Sequence, residues 1–139
     1  MEDSIKKDLM EIVGEENYTD SLIDMVSYSY DASEHRHRPS CGVWPQTAEQ
    51  VSQVLQLANR EHVPVIPRGA GTGLSGMAVP AKGGIVLDLI RMNRIVNISI
   101  EDRLAVVEPG VIYETLERAL EPHGFFFPVS YTHLTLPTN

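Results

Sequence analysis

The stretch most able to do chemistry runs Pro67-Arg68-Gly69-Ala70-Gly71-Thr72-Gly73-Leu74-Ser75-Gly76. Four glycines, one arginine and two hydroxyls follow one another there, and no acidic side chain intervenes until Asp88, although the chain of 139 residues carries a formal charge of −8. Glycine tolerates positive φ and leaves no Cβ in the way, so such a loop can turn consecutive N–H groups toward one point. That arrangement is an anion-binding nest, and phosphate is its usual guest. Thr72 and Ser75 can each donate one hydroxyl hydrogen bond. Arg68 serves either as a charge for the guest or as a packing group at the loop base. The expectation is a loop that holds a pyrophosphate.

Which pyrophosphate depends on what flanks the loop. Gly71 to Gly76 satisfies G-x-G-x-x-G, but the dinucleotide fold needs its last glycine to open a helix. Here Met77-Ala78-Val79 runs straight into Pro80, followed by Gly83-Gly84. No helix grows through that punctuation. Asp88 also comes too early to be the acidic residue that holds a ribose about twenty positions on. Gly76 is followed by Met77 rather than lysine, so a Walker-type loop fails as well. A strand–loop–strand phosphate site remains.

Other polar residues are weaker candidates. His35 and His37 are spaced for a metal pair, but Arg36 and Arg38 repel a cation and no further ligand follows at zinc-site spacing. A solvated loop is the expectation for residues 32 to 40. Cys41 has no histidine within a recognisable nucleophile motif and reads as a buried thiol. His62 and His123 fall near helix C-termini, where a cation meets the dipole favourably. Asp88 reads as a strand-end residue, Arg91 and Arg94 as solvated turn charges, and Tyr28, Tyr30 and Trp44 as packing residues. No catalytic group and no metal set is assigned.

The elements that must position the loop follow from periodicity. Ile5, Leu9, Ile12 and Val13 mark a helix that Asp3 or Ser4 can cap and Gly14 can end, expected as a peripheral N-terminal extension over 1–19. A weaker helical pattern runs from Asp20 toward Asp31. Cys41 to Pro45 reads as a strand. Thr47 opens a capping box with Gln50, and Val51, Val54, Leu55 and Ala58 give a helix over 47–62. Val63 to Pro67 is the strand that delivers the glycine loop, and strand, helix and strand make a βαβ-sized unit. Ile85 to Leu89 is a buried-type strand, and 95–100 with 104–107 form a hairpin. Ile112, Leu116, Ala119 and Leu120 mark a further helix stopped by Pro122 and Gly124, with Phe125 to Pro128 as the next strand. The class is α+β or mixed α/β: a mixed sheet with flanking helices.

Composition sets the bounds. The chain is 42% hydrophobic and 22% charged, ordinary for about one globular domain. Its acidity argues against nucleic acid or an anionic membrane as the main partner. A single cysteine excludes an internal disulfide, and the N-terminus has no signal-peptide pattern. No run reaches membrane-spanning length. The cytoplasm is the expected compartment.

The ordered motifs Pro64 to Gly76, Val86-Leu87-Asp88-Leu89, Met92-Asn93-Arg94-Ile95, Val107-Glu108-Pro109-Gly110-Val111 and Gly124 to Pro128 together resemble the FAD-linked oxidases of the vanillyl-alcohol-oxidase and p-cresol-methylhydroxylase type. The likeness covers residues 20 to 128 and is greatest to the FAD-binding subunit of glycolate oxidase and the D-2-hydroxy-acid dehydrogenases. It implies the first part of a PCMH-type FAD-binding domain. Pro67, Arg68, Gly69, Ala70, Gly71, Thr72, Gly73, Leu74, Ser75, Pro109 and Gly110 would lie against the cofactor. Family members that bond flavin covalently use a histidine near the middle of this loop. Thr72 stands at that position, which implies non-covalent FAD. The implied reaction moves a hydride from a small 2-hydroxy acid to the flavin, with oxygen, a flavoprotein or an iron–sulfur partner subunit as acceptor. The family's base, carboxylate-binding arginine and metal-binding histidines belong to a later domain and match no position here. Val129 to Asn139 does not continue the family pattern and reads like a translated sequencing adapter, so the natural protein is expected to be longer and this N-terminal fragment inactive. Three other readings stand beside this one: a UDP-N-acetylenolpyruvoylglucosamine-reductase-like flavoenzyme, a non-catalytic phospho-ligand or nucleotide-binding module, and an inert truncation product.

Overall fold

The computed structural model describes residues 2–128. Its elements in chain order are α1 (Asp3–Val13), β1 (Tyr18–Thr19), α2 (Leu22–Ser27), β2 (Cys41–Val43), α3 (Ala48–Arg60), β3 (Val65–Arg68), β4 (Ile85–Asp88), β5 (Ile95–Ser99), β6 (Leu104–Val107) and α4 (Tyr113–Leu120). The main sheet has the order β1-β2-β4-β3. β4 runs parallel to both β2 and β3, whereas β1 is antiparallel to β2. The β2-α3-β3 unit is therefore a crossover whose two strands are parted by β4. The mixed sheet and flanking helices match the class read from the sequence.

β4 explains the layers. Every one of its residues is buried, as a central parallel strand requires. Ile85 and Leu87 point to one face, where they join Leu9, Val13, Cys41, Val43, Val54, Leu57 and Ala58. Val86 points to the other and packs with Met25, Tyr28 and Trp44. Side chains alternate across a strand, so each face needs its own cover. α1 and α3 cover the first, and α2 covers the second. β3 lies at the edge, the place where Pro67 can lack an N–H without breaking a ladder.

Thr47 caps α3 by accepting from the Gln50 N–H at 3.2 Å, while the Gln50 side chain accepts from the Gln46 N–H at 2.8 Å and donates to the Ile12 carbonyl at 3.2 Å. The capping box is thus displaced by one residue and also ties α3 to α1. Leu55 is half exposed and Leu57 takes its expected place in the core. β5 and β6 pair as the expected hairpin, with a bulge between Ile95 and Asn97.

Two expectations need correction, and one strand is new. α1 is not peripheral: Leu9 and Val13 are almost fully buried, because the sheet face under α3 is wider than one helix can cover. β1, too short to show a period, was not foreseen. Phe125 to Pro128 forms no strand; the Phe127 N–H donates to Glu117 Oε1 at 2.6 Å and its carbonyl accepts from the Tyr113 hydroxyl at 3.0 Å. The expected adapter-like tail, 129–139, lies outside the described residues.

Leu9 is 0% exposed, so Leu9→Ala should destabilise the fold by about 2–5 kcal/mol, the usual range for such a truncation in a core. A urea titration showing a change near zero would return α1 to the periphery.

Candidate functional site

The glycine loop leaves the carboxyl end of β3 beside the carboxyl end of β4, where Arg68 and Asp88 are register partners. Asp88 is buried and accepts from the Tyr28 hydroxyl at 2.7 Å, the Trp44 indole N–H at 3.1 Å and the Ile90 N–H at 3.0 Å. It is the strand-end residue that the sequence suggested. Burial, followed by the Asp88 carboxylate, pushes the Tyr28 hydroxyl pKa up, so the group stays neutral. The Tyr28 ring lies 5.6 Å from the Arg68 guanidinium carbon.

Of the two roles open to Arg68, the structure places it in the second. Its guanidinium turns inward and donates to the carbonyls of Tyr30 at 3.0 Å, Ala78 at 3.4 Å and Ser27 at 3.5 Å. One side chain therefore joins the start of the loop, its far end and the end of α2. A Cβ on Gly71 would lie 2.1 Å from Arg68 Nη2, and Gly71 has φ +69°. The clamp and the backbone both demand glycine there. Gly76 has φ +72°, and its Cβ would strike the His35 ring at 2.5 Å. His35 is thus an exposed side chain with one ring edge against the loop, not a fully solvated one.

Gly69 and Gly73 differ. Neither has positive φ; a Cβ on Gly69 would meet nothing within 4 Å among the described residues, and one on Gly73 would meet only Asp31 Oδ2 at 4.0 Å. The fold does not require glycine at either position. A close-approaching guest would.

The loop is held by its carbonyls. Gly73 C=O accepts from the Ala32 N–H at 3.1 Å and Gly76 C=O from the Val79 N–H at 3.2 Å. A trans peptide sets C=O and the next N–H on opposite sides, so the N–H groups of Leu74 and Met77 face away from those partners. Among the described residues, no main-chain N–H from Gly69 to Gly76 donates to a protein acceptor. Pro67, Ala70, Thr72, Leu74 and Ser75 lie exposed on the same segment. These groups fit the diphosphate of a dinucleotide.

A profile of the FAD binding domain family matches residues 39–136. The chain belongs to that family. It is 36% identical over 135 residues to the glycolate oxidase subunit GlcD of Bacillus subtilis, covering 96% of this chain and 29% of that protein. It is 37% identical over 106 residues to a D-2-hydroxyglutarate dehydrogenase of Stutzerimonas stutzeri, covering 76% of this chain and 23% of the relative. Among solved structures, substrate-bound p-cresol methylhydroxylase superposes with a TM-score of 0.78 at 27% identity, over 87% of this chain and 24% of that one. FAD is the cofactor of the domain, and the chain spans less than a third of the relatives it matches. The family match runs on to residue 136, across most of the segment that the sequence suggested was foreign.

Pro109 and Gly110 sit where the turn after β4 passes. The Gly110 N–H donates to the Met92 carbonyl at 2.8 Å, and a Cβ there would lie 2.1 Å from the Leu89 carbonyl oxygen. The amide is thus used within the protein, and glycine is needed for backbone packing. Arg94 is exposed but paired with Glu108 at 2.5 Å, and that contact holds the Glu108 carboxyl below the usual carboxylate range. Arg91 lies 4.9 Å over the Trp44 ring and donates to Asn17 Oδ1. Neither is a simple solvated turn charge. A hollow of about 720 Å³ lies elsewhere, between the β5–β6 hairpin and α4, with an apolar lining that includes Leu104, Val107, Leu116 and Phe125. No cluster of metal-ligating side chains occurs among the described residues. No helix among them is long and apolar enough to cross a membrane. Sequence reasoning missed Asp31. Its Asp-x-Ser spacing announces a local turn, but nothing local shows that the turn lies under Gly73.

Two outcomes follow. Gly71→Ala should destabilise the fold by roughly 1–2 kcal/mol, the cost of a left-handed backbone for an L-residue, plus the displacement of Arg68; equilibrium unfolding measures it. Burial pushes the Cys41 thiol up from 9.0 to about 12. Cys41 should therefore resist alkylation at neutral pH until the chain is unfolded. Because the folded value is the higher one, this stabilisation is full below about pH 9 and is lost as pH rises toward 12. A pH titration of unfolding checks the sign, with Cys41→Ala expected to lose stability less steeply over that range than the wild type.

Proposed function

We propose that the segment Pro67–Ser75 receives the diphosphate of FAD without a covalent bond, and that the chain is the flavin-binding part of an oxidoreductase acting on a small 2-hydroxy acid. The observation that carries this is the pair Gly69 and Gly73, glycines that the fold itself does not need, in a loop whose N–H groups are uncommitted. Backbone can approach a guest closely only where no Cβ stands between them. FAD supplies a two-electron acceptor when bound. The residues of this chain contribute donors for the anion from Gly69 to Gly73, hydroxyls from Thr72 and Ser75, and a rigid base through Arg68. Thr72 offers no ring nitrogen to bond the flavin.

The substrate class rests on likeness to the glycolate oxidase subunit and the hydroxyglutarate dehydrogenase named above. A relative described as a subunit also supports an electron-transfer partner subunit for the whole protein. A chain spanning 29% of that relative should by itself neither turn over substrate nor hold FAD tightly.

In the full-length gene product, Gly69→Ala should leave the unfolding midpoint unchanged and weaken FAD binding about tenfold or more, since an intruding Cβ displaces the guest by its own radius. Equal flavin affinity in wild type and variant would refute the loop assignment. Bleaching of the bound flavin by glycolate or D-lactate tests the substrate class independently.

A further inference from the structure

Among the described residues, Asp31 carries the one buried side-chain oxygen without a hydrogen bond of normal geometry. The residue is 7% exposed, and the oxygen is its Oδ2. Such a group is expensive to keep, because a buried acceptor forfeits the hydrogen bonds that water would give it. The other oxygen is occupied: Oδ1 accepts from the Ser33 N–H at 2.8 Å, closing a turn. Oδ2 faces the cofactor loop, 4.0 Å from where a Cβ on Gly73 would stand. The next residue, Ala32, already holds the loop through the Gly73 carbonyl. Unanswered donors and one unanswered acceptor thus lie side by side.

We propose that Asp31 is a positioning residue for the cofactor: in the flavin-bound protein its second carboxylate oxygen accepts a hydrogen bond from the loop tip at Thr72–Gly73 and fixes the tip in its holding conformation. Oδ2 is buried beneath the loop, so the loop is better placed than the ligand to supply the donor. The Leu74 N–H is turned away by the planar peptide that carries the Gly73 carbonyl. The Ala78 amide at the far end of the loop already reaches the Asp31 carboxyl; within the tip the Gly73 N–H and the Thr72 hydroxyl remain, and whichever Asp31 takes is not among the donors left for the anion. Ser33, through its hydroxyl and amide, holds the Asp31 carboxyl below the usual range, with smaller contributions from the Ala78 amide and Arg68. Asp31 is therefore an anion at neutral pH, and Arg68 is the cation that offsets it beside a diphosphate.

This inference rests on the loop being the FAD site, so the experiment separates the two. FAD affinity is measured by flavin fluorescence in the full-length gene product, and hydrogen exchange is followed at residues 72–74 with and without FAD. Asp31→Asn keeps a side-chain oxygen for Ser33 but replaces the second oxygen with a donor; Asp31→Ser can form the same turn and lacks the second oxygen. Both should keep the wild-type unfolding midpoint, lose about tenfold or more in FAD affinity, as when the partner of a charged hydrogen bond is removed, and lose FAD-induced protection at 72–74. If either folded variant binds FAD within twofold of wild type, Asp31 only closes a turn and the proposal is overturned. If wild type itself binds no FAD, the loop assignment falls and this inference falls with it. Should Asp31→Asn not fold, Asp31→Ser alone decides.

Discussion

A buried guanidinium organises the site. Arg68 is 9% exposed, and a charge so placed persists only when its donors are answered. Three carbonyls answer them, from Ser27, Tyr30 and Ala78. The segments so joined are the end of α2, the turn after it and the far end of the glycine loop. Loop closure by a side chain from the loop's own first residue restrains both ends together. The same clamp explains why Gly71 is glycine, since Arg68 occupies the space a Cβ would need. It also turns the Arg68 guanidinium away from the exposed side of the loop. The positive charge in the motif belongs to the foundation of the loop.

The foundation reaches the core through Tyr28. Its hydroxyl donates to Asp88 and its ring lies beneath Arg68, so the ends of β3 and β4 are joined twice, once by the ladder and once by this side-chain path. Asp88 stands on the same face of β4 as Val86, the face that α2 covers. That face carries polar and apolar groups in alternation with the purely apolar one under α1 and α3. The site is built where the sheet's second face changes from hydrocarbon to hydrogen bonds.

What the sequence revealed was local. α3 showed a cap and a helical stripe, the hairpin showed a turn between β-branched runs, and the loop showed glycines whose chemistry could be read residue by residue. What it hid was tertiary. α1 looked like an appendage because its apolar stripe says only that one face is covered, not by what. Phe125 to Phe127 looked like a strand because apolar aromatic runs favour pleated surfaces, but a strand exists only beside a ladder, and here Tyr113 and Glu117 take the Phe127 backbone. Arg68 could face in or out with the same neighbours in sequence. Asp31 is separated from Gly73 by α3 and two strands, and no period connects them.

An acidic chain from an FAD-binding family presents an apparent conflict, and distance resolves it. Charges beyond about 8 Å are largely screened at physiological salt, so the formal charge of −8 matters less than what stands beside the loop. No acidic side chain lies between Arg68 and Asp88 in sequence. Asp88 turns its oxygens to Tyr28, Trp44 and Ile90, and Asp31 has Arg68 near it. Arg68 thus offsets one of the two carboxylates and neutral donors satisfy the other, and the loop's amides are left to act as dipoles. Dipoles aimed before the ligand arrives need no reorganisation on binding. The bonds accepted by the Gly73 and Gly76 carbonyls fix the direction of the amides that follow them, and glycine lets the chain make the turns between.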